Sequence, residues 1–198
     1  AGVKRQLSHA AALCTAKLFC FSFFVDTSYV REAFVGSYVM DPLAIYFKRF
    51  FLLAGTIVLL LQVQYADKIS SGISEYYSLT LFALAGMMFT ASAMNFAVMF
   101  AALELVTITL YVLTSFQRNR VESLEAGVKY LIMGGVASAL MVFGIAFVYG
   151  ASGSFVFADI YEKTGNLIGN PIFLIGLLLV LVGLAFKIAA FPYQIWAP

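Results

Sequence analysis

Long apolar runs separated by short polar breaks fill the chain, and the runs have the length of membrane crossings without the two-residue alternation of strands. A helix rising 1.5 Å per residue needs about 20 mostly apolar residues to cross a hydrocarbon layer of roughly 30 Å. Six runs suit that requirement: Ser8 to Val25, Pro42 to Val63, Ser74 to Met94, Asn95 to Phe116, Ser123 to Gly150, and Asn170 to Phe191. Asp41 before Pro42 is a capping residue followed by a proline fit for the first helical position. The third and fourth runs are nearly contiguous, which makes them antiparallel neighbours. The Ala151-Ser152-Gly153-Ser154 stretch ends the fifth run with turn-forming residues. Pro192 breaks the sixth, because it lacks the N–H that the Ile188 carbonyl would need. The pattern predicts an all-α polytopic transmembrane helix bundle, since only helices or closed barrels satisfy the backbone in lipid. Gly134, Gly135, Gly144, Gly176 and Gly183 fall within the runs and are expected to permit close helix contact.

Composition removes several classes of function. Apolar residues make up 63% of the 198 and charged residues 11%, whereas soluble domains carry roughly 25% charge. The net charge of +2 is scattered along the chain, so no basic face exists to hold a nucleic acid. Cys14, Cys20 and His9 are too few for an iron–sulfur cluster or a doubly ligated haem, and a closed zinc site would need carboxylates as well. No redox cofactor or metal is expected in this chain. A chain opening on Ala1 and stopping at Trp196-Ala197-Pro198 directly after an apolar run reads as part of a longer polypeptide. Lys17 interrupts the first run where a secretory leader would be cleanly apolar. Lys4, Arg5, Lys68, Arg118 and Arg120 lie on one side of the predicted spans, against Arg31, Lys163, Lys48 and Arg49 on the other, which places the N-terminal flank toward the cytoplasm. Asp41, Lys48 and Arg49 read as interface anchors, with Tyr46 and Tyr65 as belt residues.

Ionisable side chains inside spans cost about 2.5–3.5 kcal/mol each on insertion scales, so each one needs a reason. Glu104 lies near the middle of the fourth run and is too short to reach either surface. It either pins two helices by a hydrogen bond or handles protons or ions. Lys187 sits near the end of the sixth run, just before the expected break. Lys129 lies two turns into the fifth run with Glu125 four residues ahead, so it either pairs along its own helix and reaches the headgroups or serves a proton path. Lys17 receives no role. A carboxylate and a lysine that approach across helices keep each other charged, and separation favours their neutral forms. Glu104 and Lys187 are therefore candidates for a geometry-driven proton switch. No hydrolytic triad, Cys–His pair or phosphate-cradling loop is present in the runs.

Read in order, Asp41-Pro42-Leu43-Ala44-Ile45-Tyr46-Phe47-Lys48, Phe82-Ala83-Leu84-Ala85-Gly86-Met87-Met88, and Leu103-Glu104-Leu105 through Leu110-Tyr111-Val112-Leu113 resemble successive helices of the antiporter-like membrane subunits of respiratory complex I. Ser123 to Leu131, the Tyr149-Gly150-Ala151-Ser152-Gly153 turn, and Gly183-Leu184-Ala185-Phe186-Lys187 leading to Phe191-Pro192-Tyr193-Gln194-Ile195-Trp196-Ala197-Pro198 continue the likeness, closest to the subunit N branch. The resemblance covers about Asp41 to Pro198. Residues 1–40 match only as a hydrophobic leader with one weak span, while 41–198 would form the N-terminal half of a proton-translocating unit. The likeness implies a non-redox subunit of a proton-translocating NADH:quinone oxidoreductase in a bacterial inner membrane, or in an organellar or photosynthetic one. Flavin, iron–sulfur clusters and quinone would lie on other subunits of the respiratory complex, and the lipid bilayer would be the remaining partner. It further implies a proton relay of Glu104, Lys129 and Lys187, with the helix break at Pro192. The family's first helix would precede Ala1, and its later helices would follow Pro198. Gln194 departs from a histidine common at that place in the family, which weakens a histidine relay there.

Two other readings remain open on the residues alone. One is a subunit of a multi-subunit cation/proton antiporter. The other is a non-translocating membrane scaffold whose charges serve only helix registry.

Overall fold

A computed structural model describes residues 2–25, 30–65, 69 and 72–191. Seven helices and one hairpin appear in the order α1 (Gly2–Ser22), β1 (Arg31–Ala33), β2 (Tyr38–Met40), α2 (Pro42–Tyr65), α3 (Ile73–Thr90), α4 (Phe96–Thr114), α5 (Val121–Ser152), α6 (Phe157–Leu167) and α7 (Pro171–Lys187). Among the described residues, α2, α4 and α5 are each long and apolar enough to cross a membrane, while His9–Ser22 and α7 are shorter apolar helices. The chain is an all-α membrane helix segment, and its only named strands among the described residues form the hairpin, in which Arg31 faces Met40 and Ala33 faces Tyr38.

Short-range chemistry sets the helix starts. The Asp41 carboxylate accepts from the Ala44 amide at 2.7 Å, with Pro42 in the first turn where a missing N–H costs nothing. Asn95 and Asn170 cap α4 and α7 in the same way, accepting from Val98 and Ile172. The ends of several elements are then stitched together through the backbone. Val39 donates to the Ser92 carbonyl, Met94 to Ser37, Phe96 to Phe155 and Phe157 to Met94. These bonds satisfy backbone groups that helix ends leave open, and they gather the hairpin, the α3–α4 turn and the α5–α6 loop at one end of the bundle.

Two features depart from the sequence expectation. The hairpin and α6 both fall in connections between the predicted runs, because neither has the length that makes periodicity legible. Helix α6 lays Ile160 into an apolar cluster with Val148 of α5 and Phe173 of α7, while Lys163 donates to the Ser152 carbonyl at 2.8 Å. The sixth run ends early: α7 stops at Lys187 rather than at Phe191. Ala190 donates to the Ala185 carbonyl and Ala189 to Phe186, the two bonds of a Schellman stop. Ala189 holds the left-handed conformation at φ 51°, a position normally given to glycine and costly to a Cβ by about 1–2 kcal/mol. Pro192 lies outside the described residues.

Small residues bring α5 and α7 into backbone contact. A Cβ added at Gly144 would stand 2.6 Å from both the Gly176 carbonyl and the Val180 amide nitrogen, and one at Gly176 would meet the Val148 nitrogen at 2.9 Å. Gly183 lies against Met141 and the Ala137 carbonyl. The helices are antiparallel, so this register carries Lys187 to about the level of Gly134–Ser138, in the middle of α5. Helix α7 therefore ends deep in the bundle. Substituting Gly144→Ala or Gly176→Ala should force the pair apart at about 1–3 kcal/mol and lower the amount of membrane-assembled protein on a native gel. Gly135→Ala, where an added Cβ meets nothing within 4 Å, should leave it unchanged.

Candidate functional site

At the point where α7 stops, three helices each contribute one polar side chain. Lys187 donates from Nζ to Glu104 Oε1 of α4 at 3.0 Å. Ser138 of α5 donates its hydroxyl to the same carboxylate oxygen at 2.6 Å, and its Oγ lies 3.5 Å from the Lys187 ammonium. The serine thus accepts from the cation and donates to the anion. The side chains of Lys187 and Glu104 are only 9% and 20% exposed, and Glu104 is the ninth residue of the nineteen in α4.

The local sequence explains why these groups can meet. Side chains near a helix end lean back toward its N-terminus, so a lysine on the last turn of α7 points into the bundle. The same last turn lies at the negative end of the helix dipole, which favours an ammonium. On α5, the buried positions Gly134, Ala137, Ser138, Met141 and Ile145 form one helical stripe, and Ser138 is its polar member. Oppositely charged groups in a low-dielectric site stabilise each other, whereas removing one partner strands the other at roughly 3–5 kcal/mol.

A cavity of about 190 Å³ adjoins Lys187 and is bordered by Thr107, Leu110, Tyr111, Tyr130, Phe186 and Ile188 among others. The Tyr111 ring meets Tyr130 edge-on at 4.6 Å between centroids. Gly134 makes room for it, since an added Cβ there would fall 2.0 Å from the phenol oxygen. The cavity therefore carries hydroxyls and one ammonium along its wall and is large enough for a short chain of waters. Its contents would connect the buried pair to the N-terminal half of α5.

The structure brings together Glu104 and Lys187 but not Lys129. Lys129 is 68% exposed and bound to Glu125 at 2.5 Å. Nine residues separate it from Ser138, which at 3.6 residues per turn is half a turn away in direction and about 13 Å along the axis. Lys17 is exposed. Lys48, expected as an interface anchor, is buried at 7% exposure beneath the hairpin strand that carries Tyr38 and Met40. Ser138, Tyr111 and Thr107 are site residues that the sequence reading missed. The available signal was the small-residue stripe of α5, in which Ser138 alone carries a hydroxyl at mid-helix. Among the described residues, no group of three His, Cys, Asp or Glu side chains could hold a metal ion.

Comparison with known proteins identifies the family. Residues 93–198, just over half the chain, match the family model described as NADH:quinone oxidoreductase/Mrp antiporter, TM. Subunit N of the NADH-quinone oxidoreductase of Moorella thermoacetica is 37% identical over 172 residues, covering 85% of this chain and 36% of that protein. F(420)H(2) dehydrogenase subunit N of Methanosarcina mazei is 36% identical over 189 residues, covering 96% of this chain and 38% of that protein. A chain of respiratory complex I from Thermus thermophilus superposes with a TM-score of 0.78 at 31% identity, covering 98% of this chain and 41% of that one. The chain spans little more than a third of the length of the curated relatives it matches. The match across α4, α5 and α7, the helices that build the buried ion pair, shows that the chain belongs to the NADH:quinone oxidoreductase/Mrp antiporter transmembrane family, as an antiporter-like membrane subunit related to subunit N of complex I.

Proposed function

We propose that the chain is part of a proton-translocating membrane-arm subunit of a respiratory NADH:quinone oxidoreductase, and that Glu104, Ser138 and Lys187 form its switching element. The observation that carries this reading is the ion pair at 3.0 Å in the interior of a membrane bundle, at the broken end of a helix. Residues 41–198 supply the N-terminal half of the translocating unit, with five of the six crossings proposed for the chain. Electron transfer belongs to flavin, iron–sulfur clusters and quinone on other subunits, with which this chain assembles in the membrane. Relatives named for different electron donors are similar to this chain at nearly equal identity, which supports a role independent of the donor.

The chemistry follows from charge balance. In the closed pair, ammonium and carboxylate cancel, and the Ser138 hydroxyl bridges them. When the pair separates, each charge loses its partner in a low-dielectric site, so the neutral forms become favoured. Glu104 then takes up one proton and becomes a carboxylic acid, while Lys187 releases one proton and becomes an amine. One proton enters and one leaves, so the net charge of the site is unchanged. The cavity with Tyr111, Thr107 and Tyr130 gives the lysine proton a hydrated route. Lys129 exchanges with this site only through water or a neighbouring chain, since it lies on the far side of α5 in its pair with Glu125. The family model also names Mrp antiporters, so a cation/proton antiporter is the second reading.

In membrane vesicles, Glu104→Gln or Lys187→Met should lower NADH-driven proton pumping by roughly an order of magnitude relative to assembled complex. Unchanged pumping by both variants would reduce the pair to a registry contact and favour the scaffold. Pumping without NADH oxidation but dependent on a sodium gradient would instead favour the antiporter. The double variant should assemble better than either single one, because it leaves no unpaired buried charge, and yet should not pump. Ser138→Ala should fall between wild type and Glu104→Gln, and Lys129→Gln should stay within about twofold of wild type.

A further inference from the structure

A second buried lysine lies outside the proton site and has no counter-charge among the described residues. Helices α1, α2 and α3 enclose a cavity of about 340 Å³ whose walls include Leu18, Phe21, Leu52, Leu81, Leu84 and Met88. Its hydroxyl groups are already used, because Thr15 and Ser22 donate to carbonyls of their own helix. Lys48 is the charged residue of the lining and is 7% exposed. Its ammonium donates to the Tyr38 hydroxyl at 2.7 Å and approaches the Met40 sulfur at 2.8 Å, and it stands 4.6 Å from the centre of the Tyr38 ring. None of these partners is an anion. The neighbouring Arg49 donates to the Ser22 carbonyl at 2.9 Å and lies over Phe23, while its Nε is buried without a partner. Asp41, the acidic residue two turns earlier on α2, is engaged in capping Ala44.

Lys48 thus meets an apolar slot, with Arg49 beside it on the carbonyl of the lining residue Ser22, and nothing among the described residues neutralises either cation. Buried charges of this kind are costly unless paired. Lys48 lies about 9 Å along α2 from Pro42, in a helix about 36 Å long. That depth is within reach of the headgroup layer, since hydrocarbon spans roughly 30 Å and lysine stems extend toward the interface. We propose that this cavity binds an anionic phospholipid, with its phosphate on Lys48 and Arg49 and one acyl chain along the slot between α1, α2 and α3. A zwitterionic headgroup carries its own cation beside the phosphate and fits less well. The proposal does not depend on the proton path.

The test uses the assembled membrane complex, detergent-stripped of lipid and incubated with phosphatidylglycerol or phosphatidylcholine bearing a photoreactive acyl chain. Crosslinks are mapped by mass spectrometry. Phosphatidylglycerol should label Leu81–Met88 about fivefold more than phosphatidylcholine, the ratio for one lysine against an anionic headgroup. Lys48→Gln should abolish that preference, and Lys48→Arg should keep it. Equal labelling by both lipids, a preference that survives Lys48→Gln, or no labelling of this segment would overturn the proposal, the last because protein then fills the slot. Should Lys48→Gln fail to assemble, Ala85→Phe fills the cavity while keeping the ammonium. It should remove labelling by phosphatidylglycerol, and retained labelling would overturn the proposal.

Discussion

A carboxylate and an ammonium held 3.0 Å apart within a membrane bundle impose conditions on every element around them. Lipid offers neither ion any solvation, so the pair must be enclosed by protein and the partners must approach closely. Enclosure comes from α4, α5 and α7. Approach depends on α7 lying almost backbone to backbone on α5, which the contacts of Gly144, Gly176 and Gly183 allow. It depends equally on α7 ending at Lys187, since a helix continuing through this level would occupy the space that the lysine and its adjoining cavity now hold. The left-handed turn at Ala189 is strain tolerated where function gains from it.

What could be read from the residues divides along physical lines. Helix starts were legible at Asp41, Asn95 and Asn170, because capping is a local interaction between a side chain and an amide two or three positions on. Glu104 and Lys187 were legible as costly residues in apolar runs that would neutralise each other if close, but their meeting was not, since contact between residues 83 positions apart is a tertiary fact. Ser138 was illegible: a serine in a membrane helix is cheap, and only its placement opposite Glu104 gives it weight. The stop of α7 was misplaced because the reading relied on Pro192, whereas the turn is made by an alanine in a glycine-like conformation. The burial of Lys48 was not legible either. Its position near a helix start suggested an interfacial anchor, and the hairpin strand carrying Tyr38 and Met40 folds over it.

The two buried lysines show that burial alone does not define a role. Lys187 has a carboxylate, a bridging hydroxyl and a polar cavity beside it, the set required for a proton to arrive and leave. Lys48 has a phenol, a thioether and an apolar slot, a set that offers no second proton-binding group along the slot. A charge surrounded by dischargeable neighbours is suited to transfer, whereas a charge surrounded by apolar walls and neutral dipoles is suited to holding an anion. The difference lies in the neighbours, and α5 and β2 supply them.

For the proton translocation proposed above, direction is the remaining requirement. The cavity touches Lys187 and runs past Thr107 and Tyr111 toward Tyr130, and Glu104 approaches the lysine from α4. The two members of the pair are thus reached through different surroundings. If opening the pair lets Glu104 draw its proton from one of these and Lys187 give its proton to the other, closing the pair passes the Glu104 proton to Lys187, which restores both charges without reversing the movement. The Ser138 hydroxyl limits leakage in the closed state, because its single proton is already committed to Glu104 Oε1 and cannot serve as a second donor. Asymmetric access to two mutually neutralising ions is what turns a static buried ion pair into a step that carries protons one way.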